Sequence, residues 1–158
     1  MMLSLLLGLI MSSCNDKEQA ISGFSMNRIF FVAYVNVNGT NLLQNDSQIT
    51  VYYERNGVAE KVQRSNLDCP NGYTLTSQRN TVANGSDELC VKVFPSDYMD
   101  NENISTTYIK FGNNQMDTIQ CQFHTTSNSI TLTKSWLNGT LVWDIQTASS
   151  FPLIQIMK

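Results

Sequence analysis

Three carboxylates fall within six residues in the run Asp97-Tyr98-Met99-Asp100-Asn101-Glu102-Asn103. Two acids held in different protonation states can cleave a glycosidic bond, and clustered carboxylate oxygens can hold calcium. The run lacks the alternate-position spacing and the central Gly of an EF-hand loop, so it reads first as a solvated acidic loop. Calcium and an Asp97/Glu102 acid pair are the only chemistry it suggests. The sole histidine, His124, sits at the end of a predicted strand with no triad signature beside it, and no serine lies in a G-x-S-x-G elbow. No C-x-x-C or H-E-x-x-H spacing offers a zinc site. The chain is therefore expected not to be an enzyme, with no catalytic residue and no cofactor assigned.

The cysteines after position 14 are Cys69, Cys90 and Cys121. Cys121 alternates in phase with Asp117, Ile119 and Phe123 and reads as a buried small hydrophobe. Cys69 and Cys90 flank a long polar stretch from Arg64 to Glu88, and a bridge between them is the expected disulfide. For binding, the aromatic residues are more informative. Tyr52 and Tyr108 alternate out of phase with the apolar residues of their strands, which places them on an outer sheet face where sugar rings can stack. Cross-strand pairing of such rings also stabilises a sheet without any ligand. Trp136 and Trp143, in phase with Leu132 and Leu141, are expected to pack together in the core.

These residues need a scaffold, and the patterning specifies strands. Ile29, Phe31, Ala33, Val35 and Val37 alternate, as do Ile49, Val51 and Tyr53. Further runs are predicted at about 59–63, 73–76, 89–94, 105–111, 116–123, 129–136, 140–145 and 152–157. Asn56-Gly57 and Asn138-Gly139 lie between apolar runs and predict tight hairpins. No segment carries a helical period. The expected fold is all-β, an antiparallel two-sheet β-sandwich of immunoglobulin-like type over residues 28–158, with a small barrel as the alternative.

The N-terminal region carries a different signal. Leu3 to Met11 is an apolar run of secretory length, too short to span a bilayer, and it leads through Ser12-Ser13 to Cys14 and then polar Asn15-Asp16-Lys17-Glu18. Two small residues before a cysteine resemble a bacterial lipobox, at which the thiol is acylated and the preceding segment removed. Residues 1–13 are thus expected to be a lipoprotein signal peptide, Cys14 the lipidation site, and residues 14–27 a flexible tether. The formal net charge of −3, the low charged fraction of 15% and the absence of a Lys/Arg run argue against nucleic acid as a partner.

The Ser12-Ser13-Cys14 motif, the acidic residues soon after it, and the segments Phe30 to Leu43 and Phe111 to Phe123 together resemble uncharacterised Bacteroidetes lipoproteins. What the resemblance implies is a lipid-anchored domain at the outer membrane or cell surface, or on the periplasmic face, with membrane lipid as its partner through Cys14. The expected role is non-catalytic binding or assembly in the cell envelope, with a glycan or an envelope protein as the further partner. The alternative is a carbohydrate-binding module of a glycan-uptake system that uses Tyr52, Tyr108, Asp97, Asp100 and Glu102. A hydrolase is the remaining class.

Overall fold

The computed structural model describes residues 25–43, 48–64, 69–79, 87–148 and 152–158. Among them are eleven strands and no α-helix: β1 (Ser25–Asn27), β2 (Phe30–Val35), β3 (Ile49–Arg55), β4 (Val58–Lys61), β5 (Tyr73–Arg79), β6 (Asp87–Val93), β7 (Ile104–Phe111), β8 (Asp117–Thr125), β9 (Ser129–Leu137), β10 (Thr140–Asp144) and β11 (Leu153–Met157). They form two sheets packed face to face and not closed into a barrel. The larger sheet runs β1-β9-β8-β7-β3-β4, with β10 also paired to β9, and the smaller runs β11-β2-β6-β5. The expected sandwich is borne out.

The alternating strands β3, β7 and β8 bury every second residue, as a sheet with one solvated face requires. Ile49, Val51, Tyr53, Ile109, Phe111, Ile119, Cys121 and Phe123 supply one wall of the core. Phe30, Val32, Tyr34, Val91, Val93, Ile154 and Ile156 supply the other. Tyr34 and Phe111 stack across the two sheets with ring centroids 4.6 Å apart. Asn56 and Asn138 take φ values of 52° and 49°, and the glycines after them are also left-handed, so both Asn-Gly pairs make the tight hairpins their sequence predicts.

Several expectations need correction. Two pairings are parallel rather than antiparallel: β1 lies along β9, and β11 lies along β2 with Leu153 opposite Phe31. Both join strands remote in sequence, so no turn signal marks them. Ser25–Asn27, expected to end the tether, instead form β1 against β9. In β2 the residues facing the inter-sheet core are Phe30, Val32 and Tyr34, while Phe31, Ala33 and Val35 are buried on the opposite face. A strand apolar on both faces carries no phase in its sequence. Within the polar stretch after Arg64, Tyr73–Arg79 form the whole of β5 and pair with β6 residue for residue from Tyr73↔Val93 to Arg79↔Asp87.

The tryptophans are also placed differently. A bulge at Gln122/Phe123 sets Lys134 opposite Gln122 but Leu132 opposite Phe123, which inserts one extra residue into β9 and reverses its phase. Trp136 consequently pairs with outward-facing Gln120. A second irregularity between Leu141 and Trp143 sets Trp143 opposite buried Ser135, where it packs against the core. The two indoles stand on opposite faces of one hairpin and do not pack together.

Candidate binding site

The open face of the larger sheet is built by the residues that β3, β7 and β8 turn away from the core. Tyr52 and Tyr108 are direct cross-strand partners in the centre of this face. The Tyr108 hydroxyl donates to Glu54 Oε2 on the neighbouring strand. That hydrogen bond, reinforced by partial burial, raises the Tyr108 phenol above its usual range and fixes the ring. Thr118 lies opposite Tyr108 on the other side, and Trp136 stands on the same face beside Gln120. The result is a sheet surface carrying aromatic rings among amide and hydroxyl side chains.

The acidic loop adjoins this face. A depression of about 520 Å³ runs beside the β3–β4 hairpin and is lined by Glu54, Arg55, Asp97, Tyr98, Asp100 and Thr106, among others. Glu54 thus belongs to both the tyrosine pair and the depression. The Arg55 guanidinium lies 3.9 Å from the centre of the Tyr98 ring, holding the loop against the hairpin. Of the three predicted acids, Asp97 and Asp100 line the depression. Glu102 is exposed at the loop tip.

Each aspartate is committed to local structure. Asp100 Oδ1 accepts the backbone N–H groups of Glu102 at 2.8 Å and Ile104 at 2.9 Å, closing the turn before β7. Asp97 receives both arms of Arg64, at 3.2 and 3.3 Å. Burial opposes ionisation of Asp97, but the Arg64 fork outweighs it and holds the carboxyl below its usual range. A general acid for glycoside cleavage needs the opposite shift. Among the described residues no group of three His, Cys, Asp or Glu side chains is placed to hold a metal. His124 is exposed on β8.

The predicted Cys69–Cys90 bridge is not formed, and both residues are thiols. Cys69 opens a turn in which its carbonyl accepts the Gly72 N–H, and the Gly72 carbonyl in turn accepts the Phe94 N–H. Cys90 lies four residues before Phe94 along β6, about 13 Å at the strand rise. A disulfide requires Cα atoms within about 7 Å. Cys121 is fully buried, as its phase predicts. Cys14 lies outside the described residues.

A second concavity, invisible in the sequence, opens at one end of the sandwich. It measures about 480 Å³, and Met26, Ile29, Val62, Phe94 and Pro95 give it apolar walls. Arg28, Arg64, Asp97, Tyr53 and Cys69 bring polar atoms to it. Asp97 lines both this cleft and the depression beside the hairpin. Three connections, β1–β2, β4–β5 and β6–β7, meet here, so residues 28, 64, 69 and 97 converge only in the fold. Compared with known proteins, the chain matches no family model, no curated sequence and no solved structure.

Proposed function

We propose that the chain is a lipid-anchored, non-catalytic binding or assembly component of the bacterial cell envelope. It is held to the membrane through acylated Cys14, with the β-sandwich presented at the cell surface or on the periplasmic face. The observation that carries the binding role is the open sheet face centred on Tyr52 and Tyr108. The Tyr108 ring is held by Glu54, while the neighbouring aspartates are bound to Arg64 and to backbone N–H groups rather than poised for proton transfer. The Ser12-Ser13-Cys14 motif supports the anchor. Incorporation of an alkyne-tagged palmitate should label the chain, and Cys14→Ser should abolish the label and release the protein from the membrane fraction. Label retained in Cys14→Ser would overturn the anchor.

The second reading, a carbohydrate-binding module, is favoured by the direct opposition of Tyr52 and Tyr108 beside the polar depression. Aromatic faces flanked by hydrogen-bonding side chains suit sugar rings, which are apolar on one face and polar at their edges. A glycan array should then show hits that Tyr52→Ala and Tyr108→Ala each weaken by about tenfold, the loss of one stacking contact. An array without hits defeats this reading and leaves the anchored binding role to an envelope protein partner.

A further inference from the structure

The end cleft differs from the sheet face in charge and shape, and the argument for it is independent of the proposed envelope role. Its cations are unequally satisfied. Arg64 is forked onto Asp97, which balances its charge. Arg28 has no carboxylate of its own: Nη2 donates to the Ser96 carbonyl at 2.7 Å, and the guanidinium lies 5.1 Å from the centre of the Phe123 ring. Its Nε is buried with no hydrogen-bond partner among the described residues. Burial lowers the Arg28 pKa, although the nearby Asp97 charge opposes that shift. An arginine does not escape such a site by losing its proton, so Arg28 keeps its charge at a cleft whose one carboxylate, Asp97, is forked by Arg64.

Two arginines and one aspartate give the described cleft a net charge of +1, and the remaining wall is mainly apolar. Its volume of about 480 Å³ lies within the roughly 300–1,000 Å³ span of small-molecule sites. We infer that this cleft binds a small amphiphilic monocarboxylate, its carboxylate on Arg28 and its apolar body against Met26, Ile29, Val62, Phe94 and Pro95. A dianion would exceed the available charge. A bare small anion would leave the apolar wall in water, and a neutral amphiphile would bring no countercharge to Arg28.

The test is calorimetric titration of the full chain with decanoate below its micellar range, alongside decan-1-ol and acetate. Decanoate should bind in one-to-one ratio, with the other two at least about tenfold weaker, because a charge-assisted hydrogen bond and the burial of a ten-carbon chain each exceed that factor. Arg28→Met, which keeps the aliphatic stem, should weaken decanoate by about tenfold or more. Cys69→Phe puts a large ring in the cleft wall while keeping Arg28 and should also abolish binding. Cys69 adds a second readout, since it is half-exposed while Cys90 and Cys121 are buried. Peptide mapping should show decanoate slowing its alkylation by N-ethylmaleimide. No decanoate binding, equal binding of decan-1-ol or acetate, or unchanged affinity in a folded Arg28→Met variant overturns the inference.

Discussion

Lys158 Nζ lies 2.7 Å from Asp117 Oδ2, tying the residue after β11 in the smaller sheet to the first residue of β8 in the larger. Asp117 is 6% exposed, and its other oxygen accepts Asn138 Nδ2 at 3.2 Å. The Oδ2 contact is a charge pairing without the alignment of a hydrogen bond, so Lys158 is what offsets the buried charge. Lys158→Met should destabilise the domain by about 3 kcal/mol, because it strands a buried carboxylate. Combining it with Asp117→Asn should recover most of that loss. Urea midpoints at constant slope measure both.

Tyr34 is fully buried, and its hydroxyl has no hydrogen-bond partner among the described residues. Its ring stacking on Phe111 does not need that oxygen. Tyr34→Phe should therefore stabilise the fold by about 1 kcal/mol, by removing an unsatisfied polar atom while keeping the ring. A lower melting temperature for the variant would contradict this account of the core.

The same burial predicts alkaline sensitivity. Burial pushes the Cys121 thiol up to about 12, with Ser135 opposing. Burial likewise raises Tyr53 to about 12 against the pull of Arg64, and it raises Tyr34 further, helped by Asp117. These groups stay neutral in the folded protein after their unfolded counterparts have ionised. Their contribution is complete below about pH 8.5–10 and is lost as pH rises through the folded values. Each group should add a slope of about 1.4 kcal/mol per pH unit within that window. Stability curves between pH 8 and 11 should fall, and Cys121→Ala should flatten the early part of the fall. At the other extreme, the lowered Asp97 carboxyl contributes stability above its unfolded pKa that disappears on acidification through its folded value.

Much of this architecture was legible in the sequence, for reasons that also explain what was not. Ile49, Val51 and Tyr53 alternate because one face of β3 is solvated, and Asn-Gly pairs mark hairpins because their backbone geometry is local. Tyr52 and Tyr108 could be set on an outer face from the same alternation, although their direct opposition depends on register. Trp136 was misplaced because a bulge near Gln122 changes the phase without changing composition. Arg28 and Arg64 look like ordinary surface cations along the chain. Only the meeting of three connections makes them neighbours of one cleft.

Gly72 separates conformational strain from crowding. It has φ of +77°, and a Cβ there would lie 3.0 Å from the Tyr53 hydroxyl and 3.1 Å from Val62 Cγ1. Gly57 has nearly the same φ, +78°, with nothing within 4 Å. Gly57→Ala should cost about 1–2 kcal/mol for its left-handed backbone alone. Gly72→Ala should cost more, because Tyr53 must shift and loosen its 2.7 Å hydrogen bond to the Phe94 carbonyl. Equal losses for the two variants would show that the Tyr53 contact yields freely.

The parallel pairing of β11 with β2 also dictates an order of assembly. β2 has β6 on one side and β11 on the other, and its partner for Phe31 is Leu153. β2 in the smaller sheet therefore keeps one edge open until β11 has been made, a contact of high sequence separation and slow closure. The nascent polypeptide cannot complete this sheet prematurely. Until β11 arrives, the open edge of β2 presents unpaired backbone groups to which a strand of another copy can add.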